Sequence, residues 1–346
     1  MRHLSILVLA LAFILGITSA VFADFGNELG VGARALGMGG AFVAVADDGT
    51  AAYWNPAGIT QLKVVAFTPC LTGGGNWTDL QLDMGSEWPP NFGDTLLELD
   101  GMFGVTFRGF GISLIVIADS STQYTTGPLD TSDGLVEAYG VGMVTLAHGF
   151  SDLFSVGLNL KYIYGQSLDF SASGTPGVPI TYTGWYIEGT STGYAADVGA
   201  MFKVGKLLRV GAAIKNYGTL EWTCQRYDSD PMNPGSFILT EYTDTETLTP
   251  VAQVGVAVQP PIIGTLFAAQ VDMPLAGGGP MTYRLGIEQS LLFLKARIGG
   301  IMVEGFDPLY TAGLGFKLGP VVMDTAALVD GALEIQAAML TFGFTF

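Results

Sequence analysis

Beyond its first 23 residues, this 346-residue chain has no run approaching the roughly 18 consecutive apolar residues that a membrane-spanning helix needs. Apolar and polar residues alternate instead. From Val156 to Tyr164 every second residue is apolar, and Gly157, Asn159 and Lys161 lie between them, with Ile163 as the one exception. Because successive side chains of a strand point to opposite faces, this pattern predicts strands with one face in lipid and the other towards a polar interior.

The composition agrees with a membrane barrel. The chain is 49% hydrophobic and only 13% charged, whereas soluble domains average about 25% charged residues. Glycine accounts for 49 of the 346 residues, roughly twice the usual share of about 7%. An apolar outer face and a crowded interior explain both deviations.

The alternating stretches divide into fourteen predicted strands. They are 63 to 71, 101 to 107, 109 to 119, 135 to 147, 153 to 167, 193 to 203, 207 to 219, 248 to 259, 264 to 273, 281 to 289, 293 to 303, 310 to 318, 321 to 329 and 335 to 346. Short and long connections alternate between them, and the longest predicted loops are 72 to 100, 168 to 192 and 220 to 247. An outer-membrane barrel has this alternation and an even strand number, whereas a soluble β-sandwich or propeller has no reason to sort its loops by length. We therefore predict an all-β protein whose residues 63–346 form an antiparallel transmembrane β-barrel.

The first 23 residues predict a secretory signal peptide. Arg2 provides a basic start, an apolar run follows from Leu4 to Ile17, and small residues precede a cut after Ala23, with Ala20 as the alternative. Together with the barrel, the signal predicts the outer membrane of a diderm bacterium, with both termini in the periplasm and membrane lipid around the wall.

The charge balance excludes a nucleic-acid partner. After removal of residues 1–23 the chain keeps 13 basic and 31 acidic residues, a net charge of about −18. A nucleic-acid-binding surface needs clustered basic residues. Much of the acid lies in predicted loops, as in Asp228, Glu241, Asp244 and Glu246, which indicates solvated outer loops.

Residues for enzymatic or metal chemistry are scarce. His148, the one histidine of the mature chain, falls in a predicted short turn, where a polar turn residue is the simpler interpretation than a catalytic base. One histidine and two distant cysteines, Cys70 and Cys224, do not assemble a usual zinc site, and whether the cysteines pair stays open. We predict a non-enzymatic protein without metal or cofactor.

Two groups of aromatic residues have candidate roles. Trp185 and Trp222 fall at strand ends or in long loops, where they fit either the aromatic girdle of a membrane protein or a docking groove among the loops. The last predicted strand ends on alternating Phe342, Phe344 and Phe346, which resembles the signal read by outer-membrane assembly machinery. An ordinary edge strand is the alternative.

Residues 24–62 form a glycine-rich stretch that precedes the first strand. Its Gly-Met-Gly-Gly sequence allows close backbone approach, and the turns around Asp47, Asp48 and Asn55-Pro56 fold the chain back on itself. Such a segment can fold into the barrel lumen as a plug, with Arg34 or the aspartates against polar wall residues.

This stretch resembles a known family. Gly32 to Asp48, together with Trp54-Asn55-Pro56-Ala57-Gly58-Ile59, is similar to the N-terminal signature of PorV/PorQ-type proteins and of the wider FadL-like outer-membrane barrels. The resemblance implies a fourteen-stranded barrel closed by an N-terminal plug, with Asn55, Pro56 and Ala57 as its Asn-Pro-Ala element. In FadL-type transporters a kinked third strand opens the wall sideways, but Ile112 to Ala118 has no internal glycine or proline to mark a kink.

The resemblance implies two alternative functions. One is passive transport of hydrophobic, fatty-acid-like small molecules, as in FadL-type barrels. The other is a PorV-like role in type IX secretion, in which the barrel binds the C-terminal domain of an exported protein. In either case Arg34, Asp47, Asp48, Asn55, Pro56 and Ala57 are expected to hold the plug in place.

Overall fold

The structure is a computed structural model that describes residues 30–75, 95–125, 130–174, 183–205, 207–230, 232, 236–261 and 264–346. The predicted signal peptide and residues 24–29 lie outside the described residues. The predicted all-β architecture is confirmed, because the strands form a single antiparallel sheet that closes on itself.

The wall contains sixteen strand segments. These are β1 Val65–Phe67, β2 Cys70–Gly75, β3 Thr95–Phe107, β4 Phe110–Thr125, β5 Asp130–Gly149, β6 Phe154–Gly174, β7 Thr183–Val204, β8 Leu208–Ser229, β9 Phe237–Thr247, β10 Val251–Val258, β11 Thr265–Pro274, β12 Thr282–Leu291, β13 Leu294–Val303, β14 Leu309–Leu318, β15 Val321–Val329 and β16 Ile335–Thr345. Both β1 and β2 pair with β3 on one side and with β16 on the other, which closes the barrel.

Two of the barrel strands are interrupted, so sixteen segments make fourteen strands. Thr68 and Pro69 separate β1 from β2, and residues 248–250, which end in Pro250, separate β9 from β10. Both β9 and β10 pair with β8. A proline has no N–H for the ladder, which explains a break at each of these positions. The predicted count of fourteen strands is confirmed.

The predicted long loops are wrong in extent. Strands β5 to β8 are 20 to 22 residues long, and β9 lies wholly inside the predicted loop 220 to 247. Asp228, Glu241, Asp244 and Glu246 are therefore strand residues. Beyond the lipid a strand needs no apolar face, so these extensions lack the alternation that marks a membrane strand.

The two faces of the wall differ as the alternation predicts. Outward side chains are exposed and apolar, with Leu160 52%, Leu285 57% and Leu314 63% exposed. Inward side chains include buried polar groups such as Asn159 and Asp197.

The two ends of the barrel also differ. Six connections lie at the same end of the barrel as the C-terminus: β3–β4, β5–β6, β7–β8, β10–β11, β12–β13 and β14–β15. We call this the short-turn end and the other the long-loop end.

Residues 30–62, called the N-terminal segment below, contain three short helices. Helix Ala33–Leu36 and helix Ala51–Trp54 are single α-helical turns, and Pro56–Gln61 is a 3-10 helix. Nearly all of the segment is buried, and it hydrogen-bonds to inward residues of strands from β6 round to β16. Among the described residues no helix has the length and apolarity needed to span a membrane.

Candidate functional site

Three pairs of glycines in the wall pack directly against the N-terminal segment. In each pair the glycines are Cα partners on adjacent strands, and a Cβ built on any of them would lie 2.2 to 2.6 Å from an atom of the segment. The pairs are Gly157 with Gly199, Gly211 with Gly255, and Gly286 with Gly299. No side chain fits at these distances, so the wall backbone and the segment are in direct contact.

The Asn-Pro-Ala element occupies the first glycine pair. The Asn55 side chain accepts a hydrogen bond from the Ala57 N–H at 3.1 Å and so caps the 3-10 helix that begins at Pro56. Its amide also donates to the carbonyls of Val43 at 2.9 Å and Ala200 at 3.1 Å. Asn55 is fully buried and joins two parts of the segment to strand β7.

Arg34 lies at the centre of a network that we call the inner charge cluster. Its guanidinium donates to both Glu288 oxygens, at 2.8 and 3.2 Å, and to Asp47 and Asp48 within the segment. Arg297 and Lys295 also donate to Glu288, Arg297 reaches Asp324 at 2.6 Å, and Arg209 reaches Asp47 at 2.8 Å. The cluster therefore contains four cations and four carboxylates, all paired.

The inner charge cluster holds the Asp47 carboxylate in its charged form. Burial alone would raise the pKa of Asp47, but the Arg34 and Arg209 guanidiniums outweigh burial and hold that pKa well below its usual range.

The inner charge cluster lies near the short-turn end of the barrel. Each wall residue of the cluster is within four residues of the short-turn end of its strand. The contact is therefore between the segment and the short-turn end of the wall.

A cavity of about 250 Å³ adjoins the inner charge cluster. Its lining includes Arg34, Asp47 and Asp48 from the segment and Lys295 and Asp324 from the wall. The lining is rich in charged groups, so this space is unfavourable for an apolar molecule while the segment occupies its present position.

Two further contacts hold the segment nearer the middle of the barrel. The side-chain amide oxygen of Gln270, Oε1, accepts hydrogen bonds from the backbone N–H groups of Phe42 and Val43, at 2.9 and 2.8 Å. The Lys215 ammonium lies 3.6 Å from the centre of the Tyr53 ring, within cation–π range. These contacts satisfy backbone donors of the segment and cover a buried charge.

An apolar cluster lies in the interior on the long-loop side of the segment. Tyr53 and Trp54 of the segment belong to a buried cluster with Ile115, Val141 and Ile163 of the wall. Ile117, Tyr139, Trp222 and Leu248 are partly buried against it. An apolar molecule inside the barrel would meet this surface before it met the segment.

The two candidate tryptophans are strand residues and do not lie together. Trp222 is in β8 and faces the interior, where its ring lies edge-on to Tyr139 with the centroids 6.3 Å apart. Trp185 is in β7 and stacks on the Arg226 guanidinium at 4.8 Å. Because Trp222 is the Cα partner of Ser191, the two are separated by six residues in register, roughly 20 Å along the strands.

The remaining candidate residues lie at the barrel wall. Phe342 and Phe344 of β16 contact each other edge-on, with their ring centroids 5.2 Å apart, and the Phe346 N–H donates to Val65 on the opposite side of the closure. His148 is an exposed residue near the end of β5 and contacts Phe150. Within the described ranges no three His, Cys, Asp or Glu side chains are arranged to hold a metal ion.

The third barrel strand, β4, is regular. It pairs continuously with β3 from Phe110 to Thr122 and with β5 from Phe110 to Thr125, without a register shift on either side. The stretch from Ile112 to Ala118, which has no glycine or proline, agrees with this regularity. A wall opening made by a kink in this strand is therefore not a feature of described β4.

Comparisons with known proteins identify the fold. No protein-family model matches the chain, and no curated protein matches it at a significant level. The toluene transporter TbuX of Ralstonia pickettii matches with a TM-score of 0.70 and 16% identity, over 93% of this chain and 100% of that one. The toluene transporter TodX of Pseudomonas putida gives 0.60 and 10%, over 92% and 99%, and a Pseudomonas aeruginosa FadL homologue gives 0.56 and 12%, over 90% and 95%.

At these identities the comparisons show the fold alone. The fold is that of FadL-like outer-membrane barrels, so the fourteen-stranded barrel implied by the N-terminal signature is confirmed. The role of the N-terminal segment as a plug stays a prediction. The PorV/PorQ part of the resemblance stays a prediction.

Sequence reasoning missed most of the wall side of this site. Arg34, Asp47 and Asn55 stand out in the sequence, but their partners Glu288, Arg209 and Ala200 are at least 145 residues away along the chain. One signal was available. Glycines at inward positions of otherwise regular strands mark places where another backbone approaches closely.

Proposed function

We propose that this protein is a passive transporter of hydrophobic small molecules across an outer membrane, and that residues 30–62 are its plug. The observation that carries the proposal is the buried N-terminal segment inside a closed barrel, with an apolar surface on its long-loop side and a charged surface on its short-turn side. The fold shared with the toluene transporters TbuX and TodX supports it.

The plug has to move for a molecule to pass. Its long-loop face, which includes Tyr53 and Trp54, offers an apolar contact, whereas the inner charge cluster beneath it excludes apolar matter. A permeant would bind first to the apolar surface, and displacement of the plug would open the way beyond it. The transport is passive, because an equilibrium between two plug positions and a concentration gradient are sufficient.

Uptake of radiolabelled toluene tests the proposal. Cells of a Gram-negative host that express the protein are compared with cells that carry the empty vector, at equal amounts of folded barrel in the outer membrane. We expect a higher initial rate of uptake in the expressing cells. Equal rates would contradict the proposed transport.

We propose that the short-turn end and both termini face the periplasm. The proposal rests on the short turns and on the C-terminus, which lie at one end of the barrel, as in outer-membrane barrels. Gly277 and Gly319 allow a matched test, because they lie at opposite ends and a Cβ built on either meets no atom within 4 Å. Both have a positive φ, +76° and +59°, so a cysteine is strained at either position and the strain is matched. In intact cells a membrane-impermeant maleimide should label G277C and not G319C, whereas lysed cells should show both labelled. Labelling of G319C in intact cells would reverse the orientation.

The PorV-like alternative, binding of an exported protein, has no support from the comparisons. TbuX and TodX, which share the fold, are toluene transporters. We therefore retain transport as the single proposed function.

A further inference from the structure

Six side chains on the long-loop side of the plug form a group that we call the outer cluster. Its members are Asp119, Glu137, Tyr139, Ser191, Trp222 and Glu246. Asp119 and Glu137 are Cα partners on β4 and β5, Ser191 and Trp222 are Cα partners on β7 and β8, and the Trp222 indole joins Glu246 of β9 to the group. Five strands, β4 and β5 on one side of β6 and β7, β8 and β9 on the other, thus contribute to one part of the interior.

Each aromatic ring of the outer cluster holds a carboxylate at its polar end. The Tyr139 hydroxyl donates to Glu137 at 3.2 Å, and the Trp222 indole N–H donates to Glu246 at 2.8 Å. The two rings lie nearly perpendicular, with 82° between their planes. Aromatic faces beside carboxylates form the kind of site that binds organic cations, through cation–π contacts and direct charge attraction.

The carboxylates of the outer cluster have no basic partner in the described part of the chain. No ion pair joins Asp119, Glu137 or Glu246 to any described lysine, arginine or histidine, whereas all four carboxylates of the inner charge cluster are paired. Glu137 is instead repelled by Glu246, and Asp119 by Glu137. Asp119 and Glu137 are partly buried, whereas Glu246 is exposed. A bound cation would offset the cost of holding the two partly buried carboxylates without a counter-charge.

Ser191 provides an independent indication of a ligand at this place. Its residue is 1% exposed, and its hydroxyl has no hydrogen-bond partner among the described residues. A Cβ built on Gly165 would lie 2.4 Å from the Ser191 Oγ and 2.7 Å from the Tyr139 ring, so hydroxyl and ring meet at the same wall position. A buried hydroxyl without a partner costs free energy, which a hydrogen bond from a ligand N–H would recover.

We propose that the outer cluster binds hydrophobic organic cations, such as alkyl- or arylammonium ions, as permeants of the barrel. The proposal rests on the proposed transport function and names the charge class of molecule that the carboxylates of the outer cluster favour. The ammonium group lies among Glu137, Glu246 and Ser191, and the hydrocarbon part packs on Ile117 and Leu248, which line the same side of the interior. The same carboxylates repel a fatty-acid anion.

Three probes with one alkyl chain and different charges test this site. The protein in lipid nanodiscs is titrated calorimetrically at pH 7 with octylamine, octanol and octanoate, and empty nanodiscs give the blank for lipid partitioning. We expect octylammonium to bind about tenfold more tightly than octanol, in line with one cation–π contact and one charge contact, and octanoate to bind most weakly.

Substitutions test whether the outer cluster causes the preference for octylammonium over octanol. E137Q and E246Q should lower octylammonium affinity about five- to tenfold and leave octanol affinity unchanged, and S191A should lower it about threefold. E221Q is the matched control, because Glu221 precedes Trp222 in β8 but is exposed on the opposite face. Heat-dependent gel mobility verifies that each variant is a folded barrel.

The outcomes separate this proposal from the transport function. Equal affinities for octylammonium and octanol, or an E221Q effect as large as that of E137Q, would overturn the cation site, and toluene uptake would still stand on its own. If expressing cells fail to take up toluene while nanodiscs retain the octylammonium preference, the transport proposal fails and the binding site remains.

Discussion

Arg34 and Glu288 form a bidentate ion pair, 2.8 and 3.2 Å long, that joins the N-terminal segment to strand β12. Both side chains are largely buried, with exposed fractions of 12% and 4%. Removal of Arg34 breaks this link and the ion pair with Asp48, although Glu288 keeps Lys295 and Arg297 and Asp47 keeps Arg209. Hydrogen bonds to charged groups are worth about 1.5 to 3 kcal/mol each. In R34Q we therefore expect the plug to open more often, with frequent conductance events in planar bilayers where the wild type is almost closed.

Arg108 provides the control for this variant, because it is exposed in the β3–β4 turn and belongs to no described ion pair. R108Q should retain the wild-type conductance. Similar conductance in R34Q and the wild type would mean that the pair does not hold the plug.

The Asp47 carboxylate makes plug closure depend on pH in a defined direction. Its pKa is lowered in the folded protein, because Arg34 and Arg209 outweigh the opposing effect of burial. The stabilisation is therefore fully present above the unfolded-state pKa of about 3.9 and is lost only as the pH falls below that value. We expect conductance to stay low from pH 8 to about pH 4 and to rise at more acidic pH.

The variant D47N removes this titration and should conduct already at pH 7. A wild-type barrel that opened between pH 7 and pH 5 would contradict the role given to Asp47.

Gly299 and Gly300 are adjacent in β13 and differ in what lies beside them. A Cβ on Gly299 would lie 2.2 Å from the Gly39 nitrogen of the plug, whereas the nearest atom to a Cβ on Gly300 is 3.8 Å away. The Gly39 N–H donates to the Leu36 carbonyl at 2.8 Å and to the Thr311 hydroxyl at 3.0 Å, so a shift of this backbone would break both hydrogen bonds. G299A should displace the plug and increase proteolysis of residues 30–62 several-fold, and G300A should not. Equal protection in both variants would show that this contact is dispensable.

The sequence predicts features that depend on neighbouring residues, such as strands in lipid, better than contacts between residues far apart in the chain. The strand ends at β14 and β15 differ from prediction by at most one residue, because lipid on one face enforces strict alternation there. β9 was missed because no lipid selects its outer face and all eleven of its residues are exposed. The pairing of Arg34 with Glu288 spans 254 residues. No local sequence pattern predicts a contact between residues so far apart, although the motif that contains Arg34 can be recognised in the sequence.

Phe346 gives a prediction about assembly. Its N–H donates to Val65 where the first and last strands meet, and its ring is 60% exposed on the outer face. If it is part of the proposed assembly signal, F346A should lower the fraction of folded barrel in the outer membrane several-fold. L340A is the control, because Leu340 lies in the same outward row of β16 and is 51% exposed. Equal losses in both variants would favour an ordinary edge strand.

Asn55 tests whether the Asn-Pro-Ala element fixes the plug to the wall. N55A would leave the Val43 and Ala200 carbonyls without this donor and the Ala57 N–H without its cap. Each such loss in a buried site costs about 1 to 3 kcal/mol, so local opening should become at least tenfold more frequent. Hydrogen exchange should be faster at residues 51–62 while the β6 and β7 ladders remain protected. T60A, which loses one half-buried bond to the Ala57 carbonyl, should change exchange much less, and equal changes in the two variants would contradict an anchoring role for Asn55.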